Sequence, residues 1–480
     1  MRYVVTPKQM FYAEEAAFKK NITPLKAMEN AAKAVFEQVK EYKNVLVVCF
    51  HGNNSGDGFA VASMLKNAGA RVSVLMLGDE SKLSDHSRYY YEKIKENIIA
   101  FHENSYDCVI DAMFGIGFHS CLSGKTLLGA QIINSLSGYK VSIDAPSGLN
   151  CLTGQADYAV KADETVTFEA KKLGHIIGSG AEYTGKITVK NIGIDLSVCE
   201  KDGEKLIKEI EQADVAEFIP QLKNTDHKGV RGHVGIIGGS FGLEGAVKLA
   251  SKAAIKNPVG KVSICVPKDC AENFSDRVAD VMLTTQDKIE EFISHKDVIL
   301  FGCGAGRGEN TRKTLELLLA SCTCPLVLDA DGLYFLEKES LKNAKCPVII
   351  TPHLKEASRL FGVSMEELIS DPVEHTEKFA SETGATVLLK SNYNLICNGN
   401  EKYLCLFGCK GMAKAGSGDV LAGITASTIL GAKNALFGAI AGAFIHGQAG
   451  RFAQEEKTEY SMTASDQCEN IFKAYKALKK

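Results

Sequence analysis

Short apolar runs alternate with stretches of helical period along the chain, and this alternation starts twice. In the first half, residues 44–50 (NVLVVCF) are predicted as a buried strand and residues 59–69 (FAVASMLKNAG) as a helix closed by Gly69. Further strands are predicted at 70–78, 105–115 and 139–146. Ahead of them, residues 7–40 carry a helical pattern with Met28, Ala31, Ala32 and Val35 on one face. A charged, helical segment at 200–216 without a strong apolar face marks a boundary. Beyond it the pattern resumes, with strands predicted at 233–237, 260–267, 297–302, 325–329, 346–351 and 386–390, and a helix at 244–257. Two Ala/Gly-rich helices follow, at 418–431 and 434–453, whose small residues (Ala422, Gly423, Ala426, Gly438, Ala441, Gly442) point to close packing. Strand, helix, strand in succession predicts two α/β units with parallel, doubly wound sheets.

A chain of 480 residues has room for two or three domains. Its formal net charge of -3 supplies no basic excess to displace counterions, so nucleic acid is not an expected partner. The longest uncharged stretches, 420–432 and 435–450, fall short of the roughly 20 residues that span a bilayer. The N-terminal residues meet charges at once and carry no apolar export core, so a cytoplasmic protein is expected. The 15 cysteines are odd in number and form no CxxC; the nearest pairs are Cys322/Cys324 and Cys405/Cys409. Reduced structural thiols are therefore expected.

Open parallel sheets bind ligands outside the carboxyl ends of their strands, and three such ends are loaded in the first half. After the first strand comes His51-Gly-Asn-Asn-Ser-Gly-Asp-Gly58, whose glycines Gly52, Gly56 and Gly58 suit tight turns and close backbone approach. Asp111 precedes Gly115-Ile-Gly117, and Asp144-Ala-Pro precedes Ser147-Gly148. Oxygens of Asn, Asp and Ser side chains on neighbouring loops could hold a hard cation. Standard nucleotide motifs are absent. Ser123-Gly-Lys-Thr126 imitates the end of a phosphate loop, but His119 stands where its first Gly belongs, and no GxGxxG follows a strand. In the second half, Gly411-Met-Ala-Lys-Ala-Gly416-Ser-Gly418-Asp419 opens into a helix. Its backbone N–H groups suit a developing anion, and its carboxylate is placed to take a proton from a hydroxyl.

GNNSGDG with the downstream IDAMFGIG and SIDAPSG resembles the epimerase domain of the bifunctional NAD(P)H-hydrate repair enzymes. Ser55 stands where that family usually has Gly. The resemblance implies a Rossmann-like domain over residues 1–210. It implies that Asn53, Asn54, Ser55, Gly56, Asp57, Gly115, Ile116, Gly117, Phe118, His119, Ser120, Cys121 and Asp144 bind the hydrated nucleotide. It further implies that Asn54, Asp111 and Ser147 hold a potassium ion, and Asp144 is the acid/base candidate.

The GSGD run resembles the ribokinase-like superfamily. The stretch from His227 to Ser240 with Gly245-Ala246 narrows this to the dehydratase domain of the same repair enzymes. So do Gly302-Cys-Gly-Ala-Gly306, Asp329-Ala-Asp-Gly332 and Thr351-Pro-His353 with Glu356. This resemblance implies a ribokinase-like domain over residues 215–480. Ala246, Gly306, His353 and Asp419 would contact the hydrate, and Lys390, Ser391, Asn392, Tyr393, Asn394 and Gly418 the phosphate donor. Asp419 would be the catalytic base, ADP the donor with Mg2+ on its phosphates, and NADH and NADPH hydrates the substrates. Cys303 replaces the family's usual Pro, and Ala415 a usual Gly; Ala415 is compatible with the turn if its φ is negative. A small-molecule kinase of the ribokinase class is the rival expectation, with a non-catalytic nucleotide scaffold as the first half. The apolar C-terminal helices would permit assembly into a homo-oligomer.

Overall fold

The computed structural model describes residues 2–20, 22–100, 105–201, 205–432 and 434–479. The chain forms two compact units, Tyr3–Leu206 and Ile207–Lys480.

The first unit is built on seven parallel strands. In spatial order they are Ile98–Ile99, Arg71–Met76, Asn44–Cys49, Ser105–Ala112, Ser137–Ile143, Glu164–Phe168 and Lys186–Lys190. Successive strand residues point to opposite faces, so a strand buried on both sides feeds two cores. Val45, Val47 and Cys49 pack with helices Pro7–Lys20, Pro24–Val39 and Asn53–Asn67, while Leu46 and Val48 pack with Gly124–Ser135 on the other side. Strand order reverses between Asn44–Cys49 and Ser105–Ala112, which opens a crevice at their carboxyl ends.

The glycine run expected as a loop is helical from Asn53 onward, so the helix begins six residues before the predicted start at 59. Gly56 and Gly58 do not serve a turn. A Cβ on Gly56 would stand 2.5 Å from Met28 Cε, and one on Gly58 would stand 2.4 Å from Ala112 Cβ, so both are required by close packing. The helical pattern at 7–40 is two helices, the second starting at Pro24 behind a Thr23 cap.

The second unit repeats the reversal. Its sheet runs Val281–Thr285, Lys261–Val266, His233–Ile237, Val298–Phe301, Leu326–Leu328, Val348–Ile350 and Thr386–Lys390, all parallel. The antiparallel strands Asn394–Cys397 and Lys402–Cys405 follow, with Ile207–Glu209 pairing parallel to Lys402–Cys405. All six predicted strands are present. Val281–Thr285 and the antiparallel pair were not anticipated. The segment at 200–216 is not one helix: it contains the end of Ser197–Lys201, the strand Ile207–Glu209 and the start of Gln212–Phe218. Ile207 and Ile210 are buried there, the apolar anchors that a count of charges overlooks. Residues 202–204 of that segment lie outside the described residues.

Helices Ser417–Ala432 and Ala435–Ser461 pack as their small residues predict. A Cβ on Gly442 would stand 2.9 Å from Thr425 Cα, one on Gly438 would stand 2.6 Å from Ile429 Cα, and one on Gly423 would stand 2.1 Å from the Ala250 carbonyl oxygen. Among the described residues, no helix is long and apolar enough to cross a membrane.

Candidate functional site

In the first unit a cavity of about 610 Å³ opens at the reversal of strand order. Asn53, Asn54 and Asp57 reach it from the first helix turns, residues Gly115 to Cys121 line it from the loop after Ser105–Ala112, and Asp144 lines it from the end of Ser137–Ile143. Ser55 does not line it. Its hydroxyl is fully buried, accepts from Phe50 N at 2.8 Å and donates to the Ala112 carbonyl at 2.8 Å, tying the helix start to two strand ends. Gly56 likewise packs inward.

Asp144 holds φ at 65°, a left-handed conformation that costs about 1–3 kcal/mol in a non-glycine residue and persists where its surroundings enforce it. The enforcement is visible. Lys172 Nζ donates to Asp144 Oδ1 at 2.8 Å, to Thr167 Oγ1 at 2.7 Å and to the Phe168 carbonyl at 2.9 Å, and Thr167 Oγ1 donates to the same Asp144 oxygen at 2.9 Å. Lys172 is completely buried. Asp144 Oδ2 faces the cavity: a Cβ on Gly115 would stand 3.4 Å from it and 3.3 Å from Asn54 Oδ1. Gly115 thus leaves open the space between the two groups. Burial raises the Asp144 pKa, but the Lys172 ammonium and its hydrogen bond prevail, and the net shift is downward. Glu14, on the same cavity, moves the other way. Burial and the Asp144 charge lift it to about 7, against the pull of Lys172. Asp57 is raised as well, by burial and then by Asp144 and Glu14.

Asp111 is buried, and its oxygens accept from Ser147 Oγ (2.6 Å), Ser147 N (2.8 Å), Ser142 Oγ (2.9 Å) and Met113 N (3.3 Å). Among the described residues no cationic side chain pairs with it, and burial raises its pKa. Asn54 Nδ2 is buried without a partner. A buried carboxylate lacking a counter-charge, beside the hydroxyl oxygens of Ser142 and Ser147, fits a weakly bound monovalent cation. A further wall of the cavity comes from Ile192 and Ile194. Glu169, also left-handed with φ 61°, places one oxygen 2.7 Å from Ile192 N and 2.9 Å from the N atoms of Gly193 and Ile194. Glu14, Lys172, Thr167 and Glu169 were not found from sequence. Lys172 reads there as one of two adjacent lysines, and only the fold brings it to Asp144.

In the second unit the carboxyl ends of strands Val298–Phe301, Leu326–Leu328 and Thr386–Lys390 meet the start of helix Ser417–Ala432. Gly416 carries the turn at φ 89°, and Ala415 has no positive φ, so the replacement of glycine there is accommodated. Asp419 lies in the first helix turn. Ligand atoms of Cys303, Asp329 and Asp419 all lie within 4.8 Å of one another, and the Cys303 thiol is hydrogen-bonded to Asp419. Lys390 Nζ donates to Asp329 Oδ1 at 2.6 Å, and Thr351 Oγ1 donates to the same oxygen at 2.8 Å. A Cβ on Gly418 would stand 3.4 Å from Lys390 Nζ. Burial and the Asp329 charge lift the Asp419 pKa to about 6, against the Cys303 bond and Lys390.

Gly306 N donates to Asp331 at 2.9 Å, and a Cβ on Gly304 would stand 3.2 Å from Ala246 Cβ, so Ala246 and the glycine loop adjoin. His353 caps helix Leu354–Phe361: its Nδ1 accepts from Lys355 N at 3.1 Å and Glu356 N at 3.2 Å, leaving the proton on Nε2. Its backbone pairs with that of Lys390 in an isolated parallel β-bridge. Ser391, Asn392 and Tyr393 form the hairpin turn between Thr386–Lys390 and Asn394–Cys397, closed by Ser391 N on the Tyr393 carbonyl at 2.9 Å. The Tyr393 side chain is buried, whereas Ser391 and Asn392 are exposed. Asp329, Thr351 and Cys303 complete this cluster. All three belong to motifs already singled out, but the ion pair of Asp329 with Lys390 was not foreseen.

Residues 234–473 match the NAD(P)H-hydrate dehydratase family profile, and residues 25–174 match that of the YjeF-related protein N-terminus. The bifunctional NAD(P)H-hydrate repair enzyme of Moorella thermoacetica is 31% identical, over 97% of this chain and 95% of that protein. Its counterpart from Archaeoglobus fulgidus is 33% identical, over 92% and 91%. Among solved structures, the ADP/ATP-dependent NAD(P)H-hydrate dehydratase of Bacillus subtilis, crystallised with ATP and Mg2+, is 22% identical. It matches with a TM-score of 0.52 over 57% of this chain and 99% of its own. A ribokinase-like protein from Enterococcus faecalis matches with the same TM-score, over 57% of this chain and 96% of its own. The Rossmann-like and ribokinase-like architectures expected from sequence are thus both present, and the chain belongs to the bifunctional NAD(P)H-hydrate repair enzymes.

Proposed function

We propose that this enzyme returns hydrated NADH and NADPH to use in two steps. The epimerase domain, residues 1–210, interconverts the R and S hydrates at C6. The dehydratase domain, residues 215–480, consumes the S hydrate with ADP, yielding NAD(P)H, AMP and phosphate. Asp419 carries this reading: a carboxylate with a pKa of about 6, in the first turn of a helix opened by a left-handed glycine. At neutral pH it is mostly ionised and still basic enough to take a proton, the compromise that general-base catalysis favours.

Hydroxide leaves poorly and phosphate leaves well. Asp419 removes the proton of the C6 hydroxyl as that oxygen takes the phosphoryl group, and the N–H groups at the helix start stabilise the anion. Lys390 and Gly418 hold the donor's phosphates, with Ser391, Asn392, Tyr393 and Asn394 about its adenylate. Ala246, Gly306 and His353 hold the hydrate. Magnesium would arrive on the donor's phosphates and neutralise their charge; Asp329, already paired with Lys390, is no dedicated cage for it.

In the first unit the two titrating groups are pushed apart, which separates their roles. Asp144, held ionised by Lys172, steadies the iminium formed when C6 loses its hydroxyl. Glu14, with a pKa near 7, gives the proton to the departing hydroxyl and takes one back from the returning water. Asn53, Asn54, Asp57 and the loop from Gly115 to Cys121 hold the nucleotide. A potassium ion held by Asn54, Asp111 and Ser147 would supply the counter-charge that Asp111 lacks.

The test is an assay of each hydrate epimer with ADP and with ATP, following the return of reduced-nicotinamide absorbance. The wild type is expected to repair both epimers. Asp419→Asn should lower dehydration by about 10²–10⁴-fold and leave R/S exchange intact. A phosphorylated alcohol accumulating without reduced nicotinamide would establish the kinase reading instead.

A further inference from the structure

Three thiols meet at the amino ends of two neighbouring strands in the second unit, on the opposite sheet edge from the glycine loops. Helix Glu309–Ser321 ends at Cys322, whose backbone turns extended (φ -69°, ψ 131°) and leads through Thr323 to Cys324 and Pro325. The strand Leu326–Leu328 follows. Cys346 stands two residues before the neighbouring strand Val348–Ile350, as Cys324 stands two before its own, and Leu326 pairs in register with Val348. Cys322 Sγ lies 3.5 Å from Cys324 Sγ and is also hydrogen-bonded to Cys346. Cys322 is buried, Cys346 nearly so, and Cys324 is half-exposed.

The geometry points to Cys322 and Cys324 as a reversible oxidation site, at which a peroxide converts the two thiols into a disulfide. The 3.5 Å separation already brings the sulfurs to van der Waals contact, and the chain from Cys322 onward has left the helix, whose last hydrogen bond runs from Cys322 N to the Leu318 carbonyl. Among thiols, the one that ionises is the one its neighbours solvate. Cys324 and Cys346 both donate toward Cys322 and hold its pKa down against the effect of burial. The 3.3 Å contact of Cys322 Sγ with the Cys324 carbonyl is given up on ionisation. The steps balance. The Cys322 thiolate attacks one peroxide oxygen, breaking the O–O bond, and becomes a sulfenic acid while hydroxide leaves. Cys324 sulfur then displaces the sulfenic hydroxyl, forming the S–S bond. The two thiol protons end in two waters, and the two electrons lost by sulfur reduce the peroxide. Cys346 donates to the thiolate but does not enter the bond.

Trypsin places Cys322 and Cys324 together in the peptide 314–338 and Cys346 alone in 346–355, which makes the test direct. The native full-length enzyme is exposed to hydrogen peroxide, alkylated, digested and weighed. The expected result is a 314–338 peptide lighter by two hydrogens that takes no alkyl group, with both thiols restored by a dithiol reductant. Cys322→Ser should abolish this closure, and dehydratase turnover in that variant certifies its fold. Two alkylated thiols in the 314–338 peptide after peroxide would overturn the proposal. So would a cross-link joining 314–338 to 346–355.

Discussion

Asp419 and Asp144 are both carboxylates beside a lysine, and their surroundings drive them in opposite directions. Lys172 donates directly to Asp144, whereas Lys390 is spent on Asp329 and leaves Asp419 facing a second negative charge. The sign of the pH dependence follows. A base must be unprotonated to act, so dehydration should fall about tenfold per pH unit below pH ~6, rather than near the usual Asp value. Cys303 donates to the carboxylate and lowers this limb, so Cys303→Ala should move it to higher pH. The pH profile of kcat/KM for the S hydrate checks both expectations, and an unmoved limb in the variant would remove Cys303 from any tuning role. The sequence marked Asp419 and Cys303 as individuals. It could not show that they touch, because one lies in a loop after Val298–Phe301 and the other on a helix more than a hundred residues later. Glu14 and Lys172 were illegible for the same reason: each is an ordinary charged residue until the chain folds it against Asp144.

At the scale of elements, hydrophobic period located the parallel strands and the buried part of the C-terminal helices, but helix Ala435–Ser461 runs on past the predicted end at 453 through an exposed, charged stretch that carries no apolar period. It missed what depends on partners. The antiparallel strands Asn394–Cys397 and Lys402–Cys405 are short and were hidden behind a motif read as a binding segment. Composition predicts a loop for the glycine run at 52–58, although Gly56 and Gly58 are helical and serve contact rather than turning. Small residues in the helix Ser417–Ala432 were read correctly as packing sites. Gly423→Val should destabilise the second unit by about 1–3 kcal/mol or more, because even a Cβ there lies 2.1 Å from backbone that cannot move aside. Thermal unfolding should show the loss, and an unchanged midpoint would mean that the helix pair is looser than its geometry.

Across the whole molecule, the same reversal of strand order recurs in two units of unrelated sequence, and each unit carries a candidate site at the carboxyl ends of its strands. Similarity over nearly the full length of the Moorella enzyme fits this pairing of sites in one chain. The two sites share no residue, so the halves should complement each other in trans. Asp144→Asn retains dehydration of the S form and Asp419→Asn retains exchange. Mixing the two variants should restore rapid repair of the R hydrate, which neither carries out alone at the wild-type rate. Continued failure of the mixture would mean that the epimer does not travel between molecules.

The clasp at Glu169 has an evolutionary side. Three consecutive amides beside the cavity share one carboxylate oxygen, and the isoleucines among them are also packed into the core. One exchange at Glu169 would free three amides at once and so alter that wall of the chamber, while Asn30 and the core packing still hold the segment to the sheet beneath it. Selection, or a protein engineer, would find in that position the shortest route to other damaged pyridine nucleotides.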